Sequence, residues 1–139
     1  MTDPALLTRA ARGDADAQAQ MVQATLQLIA EGRTSFPEGV RAAEWWARLA
    51  AVHGRHNDRM ILAGVLMYAA QASIDQDEEA LSLLYQAEAM LVLNDLADEG
   101  DEKAALLIQR VAEELPPEAS QLAMDVERMA RSAAEQGVH

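Results

Sequence analysis

The side chains best suited to chemistry lie between Arg41 and Arg59. His53 and His56 are three residues apart with Asp58 close behind, and two imidazoles with a carboxylate can hold a divalent cation. Gly54 falls between the histidines and predicts a helix stop there, so the competing reading is a helix-end histidine turned to the terminal carbonyls. Asp95, Asp98, Glu99, Asp101 and Glu102 form the densest acidic cluster, but their spacing around Gly100 breaks the ligand order of a calcium loop. That cluster reads as a solvated loop in which Asp101 caps the next helix. The serines at positions 35, 73, 82, 120 and 132 sit in no nucleophile elbow, and no glycine-rich loop offers to cradle phosphate. The expectation is a protein without catalytic residues, resident metal or cofactor.

What remains is recognition chemistry. Arg41, Arg48 and Arg55 recur every seven residues, and Arg59 follows Arg55 by one helical turn. As a site, such a row would receive a carboxylate-rich segment or the terminal carboxylate of a partner; otherwise it is a solvated face, with Glu44 placed to pair with Arg48. Trp45 and Trp46 point about 100° apart on one helix. Trp46 shares a face with Ala42, Ala43, Leu49, Ala50 and His53, which reads as the core face. Trp45, beside Arg41, Leu49 and Val52, is expected to cap the edge of the core; its functional alternative is an aromatic anchor at the rim of a groove.

The elements that must position these residues are helices. Half of the 139 residues are hydrophobic but only 4% are aromatic, and Ala and Leu supply most of the apolar surface. No β-branched run alternates with period two, so the fold class is all-α. There is no cysteine, which rules out disulfides and thiol catalysis. No apolar run is long enough to span a membrane, and a cytoplasmic location is the expectation. The net charge is −12, and residues 71–139, with sixteen acids against Lys103, Arg110, Arg128 and Arg131, carry all of it. That sign opposes nucleic acid and anionic membranes and is compatible with a basic protein partner.

Punctuation residues divide the sequence into seven helices. The first runs from Pro4 to about Arg12, with Thr2 or Asp3 as cap, and the second from about Ala15 to Glu31 with Met21 and Leu28 inward. A loop leads to a third, from near Pro37 to His53. Asn57 or Asp58 is expected to cap a fourth, reaching about Ala72, whose apolar residues from Met60 to Tyr68 wrap most of its circumference and mark it as central. Asp75 to Asp77 is expected to cap a fifth, ending between Asn94 and Glu99; a sixth spans Glu102–Leu115; and a seventh starts at Pro117 and ends near Gln136-Gly137.

The run from Ala43 to Gly54 carries the pattern A-x-x-W-x-x-x-A-A-x-x-G through Ala43, Trp46, Ala50, Ala51 and Gly54. Fainter copies end at Gly13 and Gly100, 41 and 46 residues away. This pattern resembles the Sel-one-like repeat (SLR), a relative of the tetratricopeptide repeat. The resemblance implies antiparallel helix pairs stacked as a short right-handed solenoid, one domain over 1–139, with units near 1–13, 14–54, 55–100 and 101–115 and a capping helix over 117–136. It also implies a protein-binding scaffold without intrinsic catalysis. The groove would be formed by first-helix faces around Gln23, Arg59 and Gln109, with Arg41, Trp45 and Arg48 at one rim. The alternative is an acidic inhibitor or immunity-type protein that neutralises a basic enzyme through residues 75–102 and 113–135. Either a monomer or a homodimer through Leu122, Val126 and Met129 is compatible with the sequence.

Overall fold

The structure, a computed structural model, describes residues 3–135. Among these residues the protein forms seven α-helices and no strand: α1 (Pro4–Ala11), α2 (Ala15–Ala30), α3 (Phe36–Ala51), α4 (His56–Asp75), α5 (Glu79–Asp98), α6 (Glu102–Glu114) and α7 (Pro117–Glu135). Thr2 and the expected end of the last helix near Gln136-Gly137 lie outside the described residues. Among the described residues no helix is long and apolar enough to cross a membrane.

Short polar side chains start most of the helices by accepting from orphan backbone amides. Asp3 accepts from the Ala5 N–H at 2.9 Å, Asp14 from Ala17 at 3.0 Å, Ser35 from Glu38 at 3.3 Å and Asp101 from Ala104 at 2.9 Å. The expected caps of α4 and α5 fail. Helix α4 begins behind Arg55, which offers its amides no acceptor, because the Asp58 carboxylate is buried in the first turn and bound to Arg55. Asp77 lies outside α5 altogether: it takes φ 60° and closes the end of α4, a left-handed position that aspartate tolerates better than most residues.

The helix stops show a shared construction. At the end of α1 the Gly13 N–H donates to the Ala10 carbonyl and the Asp14 N–H to Arg9, both at 3.1 Å. At the end of α5 the Gly100 N–H donates to Ala97 at 2.9 Å and the Asp101 N–H to Leu96 at 3.1 Å. Both glycines stand at φ +98°, where a Cβ would be strained. In each case the next residue is an aspartate that closes one helix through its backbone and caps the following helix through its carboxylate.

Each helix packs chiefly on its sequence neighbour, α4 on α5 most extensively, and α7 packs back on α5. The central cluster joins Val22 of α2, Ala43 and Ala47 of α3, Leu62, Val65 and Leu66 of α4, and Ala89 of α5. Helix α4 is therefore central, as its apolar circumference required, although Tyr68 is half exposed and meets Phe36 edge to face at 6.3 Å. Trp46 packs against this cluster and against the Ala10–Ala17–Met21 cluster. Its expected face needs one correction: Ala42 and His53 are exposed, and Ala47 takes the buried place. The helix turns a narrower stripe inward than the sequence pattern assigned. The α7 contact is made by Ala123 and Leu122 against Ala87 and Met90, so Leu122 is used within the fold while Met129 stays exposed.

Two glycines inside helices have opposite roles. A Cβ on Gly39 would lie 2.3 Å from Ile29 Cγ1, so this residue permits the close approach of α2 and α3. A Cβ on Gly64 would meet nothing within 4 Å. Gly64→Ala is expected to stabilise the protein by about 0.5–1 kcal/mol through helix propensity. Gly39→Ala is expected to destabilise it by about 1–2 kcal/mol, overpacking outweighing the same propensity gain. Urea unfolding of the two variants checks this; equal shifts of the same sign would refute the close approach.

Candidate interaction surface

Helix α3 projects Arg41, Trp45, Arg48 and Val52 along one outward stripe, spaced by three or four residues. Trp45 is 64% exposed and Val52 82% exposed. The expected core-edge position of Trp45 is thus overturned: Ala43, Ala47 and Ala50 fill the inward face, and Trp45 leaves the helix about 100° from Trp46, outside the stripe that the neighbouring helices cover.

Beside Trp45 lies a closed polar network. Arg48 reaches across to α5, where its Nη1 and Nη2 donate to the two Glu88 oxygens at 2.5 and 2.8 Å. Its Nε and Nη2 donate to Glu44 Oε1 at 3.1 and 3.0 Å. The other Glu44 oxygen accepts from the Tyr85 hydroxyl at 3.0 Å. The hydrogen bond to Glu88 is the main reason that the Arg48 guanidinium holds its proton more firmly than usual. Burial, then the bond to Glu44, pushes the Tyr85 phenol up. On α5, Leu84 and Leu81 lie one and two turns before Glu88 and are 52% and 37% exposed. The ion network thus ties α3 to α5, with its hydrogen-bonding capacity largely used, and both helices carry exposed apolar side chains near it in sequence.

The other arginines are engaged too. Arg55 binds Asp58 at 2.5 Å and also Asp16 of α2. Arg59 binds Glu99 at 2.7 Å, and Arg41 donates to Gln76 at 3.4 Å. Arg48, Arg55 and Arg59 are thus held in ion pairs, whereas none of the described ion pairs uses Arg41. Gln23 and Gln109 are exposed on α2 and α6, Arg59 is half-buried on α4, and no hydrogen bond or ion pair joins any two of the three. The histidines also separate. His53 pairs with Gln18 at 3.0 Å, His56 with Asp101, and Asp58 with Arg55.

Asp101 carries the clearest carboxylate signature. Its pKa is lowered first by the Ala104 N–H that it caps and then by His56. A carboxylate held below its ordinary range stabilises the fold above that range and loses the contribution as pH falls through the lowered value. Asp101→Asn keeps an acceptor for the cap but cannot titrate. Its thermal stability is expected to fall less steeply with acid than that of the unaltered protein. Parallel acid limbs for the two proteins would contradict the assignment.

Leu81, Leu84, Tyr85 and Glu88 carry no sequence signal that links them to this surface, since only the fold brings their helix beside α3. Comparison of the sequence and structure with protein-family models, with curated proteins and with solved structures gives no match.

Proposed function

We propose that the protein is a helical-repeat interaction scaffold, of the kind that the SLR resemblance implies, and that it binds a protein partner through the α3–α5 surface around Trp45. The observation that carries this reading is the exposure of Trp45, 64%, on a stripe where Val52 is 82% exposed. An exposed tryptophan flanked on its helix by Arg41 and Arg48, both of which are hydrogen-bonded within the fold, has the make-up of a binding hot spot.

Three features support the repeat architecture. Eight long-range side-chain hydrogen bonds span 35 to 45 residues, close to the 41- and 46-residue spacing of the helix-stopping glycines. The starts of α2, α4 and α6 are tied in series by Asp16–Arg55 and His56–Asp101. The start of α4 meets the end of α5 through Arg59–Glu99, and the start of α3 meets the end of α4 through Arg41–Gln76. Helix pairs that run antiparallel and stack unit on unit generate this set of links. In this reading α7 closes the array on α5 rather than lying across α2, α4 and α6.

The test is a pull-down from lysate of the source cell, at low and at high salt, with partners identified by mass spectrometry. The scaffold reading expects a partner retained at high salt, because burial of Trp45 and its apolar neighbours is weakly screened. A partner held only at low salt favours the acidic-inhibitor reading, in which steering by the net charge of −12 dominates.

A further inference from the structure

In the first half of α5 the side group of Gln86 is only 8% exposed, and its amide is half satisfied. Its Nε2 donates to Ser82 Oγ at 3.1 Å, which turns the carbonyl end away from Ser82. The Oε1 atom is buried and accepts no hydrogen bond. A buried carbonyl without a donor is costly, and a native fold that keeps one has either a use for it or a partner that arrives from outside. Gln86 and Ser82 line a cleft between the start of α5 and the turn from α6 to α7. Ile74, Leu83 and Pro116 supply apolar walls, and Glu79 and Glu118 supply carboxylates. Both glutamates are exposed, and none of the described ion pairs uses either of them. Asp77, Glu78, Glu113 and Glu114 lie within about a turn of them in sequence and deepen the negative potential. No cation lines the cleft; Arg41 lies in a separate depression with Gln76 and Glu78.

We propose that this cleft receives an arginine side chain from a basic partner protein. The walls would cover the aliphatic stem, the Glu79 and Glu118 carboxylates would accept from the guanidinium, and the Gln86 amide, whose oxygen is buried in the free protein, would turn its carbonyl into the cleft to accept as well. Arginine suits the slot better than lysine on two grounds. Its planar fork can meet acceptors at separate points, whereas an ammonium is a point charge. It is also less strongly hydrated, so it loses less on entering a site whose floor is a buried amide. The inference stands apart from the Trp45 surface and survives if that surface binds nothing.

The test is an NMR titration of the full-length, isotope-labelled protein with N-acetyl-arginine N-methylamide. The isosteric citrulline derivative serves as the uncharged control and the lysine derivative as the cation control. The expected result is saturable shifts at the Gln86 side-group amide and at Ser82 and Leu83, with lysine weaker and citrulline inert. Gln86→Leu is expected to weaken arginine binding by about tenfold or more; in the free protein, loss of the orphan acceptor offsets loss of the bond to Ser82, so stability should change little. If that variant fails to fold, the exposed pair Glu79→Gln and Glu118→Gln decides the point by the same loss. Shifts that never saturate and spread evenly over the acidic residues would overturn the proposal. So would equal binding of arginine and citrulline.

Discussion

Trp45→Ala is expected to cost at least about 2 kcal/mol of partner affinity, roughly thirtyfold in Kd, with a change in folding stability of no more than about 0.5 kcal/mol. The two effects separate because of where the indole sits. Trp45 is 64% exposed, and the described core clusters do not use it, so truncation opens no cavity. In a complex the same indole would give up its exposed area on a stripe that it shares with Val52 and Arg48. Trp46→Ala should behave in the opposite way: it removes a ring that bridges two core clusters and should lower stability first. Calorimetry with the purified partner, beside urea unfolding of both variants, reads the contrast. A Trp45 variant that unfolds as easily as the Trp46 variant would place Trp45 in the core and remove the premise.

Leu66→Ala should produce the largest loss of stability of any single truncation discussed, about 3–5 kcal/mol. Leu66 has no exposed surface and lies at the centre of the cluster that joins α2, α3, α4 and α5. Alanine already occupies positions 43, 47 and 89 around it, so the neighbours have little bulk with which to refill a void. The loss is a large fraction of the stability of a single domain of this size. Leu106→Ala, on a residue that is 66% exposed, serves as the control and should change stability by less than about 0.5 kcal/mol. The midpoint of urea unfolding gives both values. Similar shifts for the two variants would show that α4 is not the centre of the fold.

The helices were legible because their signals are local. Gly13 and Gly100 stop helices through backbone geometry that a few neighbouring residues fix, and Asp101 caps through an amide three residues away. The centrality of α4 was legible too, since a helix with apolar residues around its circumference has nowhere else to go. Asp58 and Asp77 deceived for one shared reason. Aspartate suits a cap, a buried ion pair and a left-handed turn alike, and the choice among these depends on Arg55 in one case and on the end of α4 in the other. Trp45 was misjudged because adjacent tryptophans leave their helix only about 100° apart, and periodicity cannot say how wide a stripe the neighbours will cover. The partners of the arginines lay beyond sequence reasoning altogether. Arg48 meets Glu88 at a separation of 40 residues, and nothing near either residue announces the other. Gln86 had no signal, because a glutamine inside a helix is ordinary until the fold buries it.

The most direct test of the scaffold reading is oxidative footprinting of the protein, alone and bound to the partner captured at high salt. Trp45 is exposed in the free protein and should be among its readily oxidised residues. The account predicts that the complex protects Trp45 and Leu84 together, while Tyr68 and Leu106, on other helices, oxidise at unchanged rates. An unchanged rate at Trp45 in the complex would contradict it.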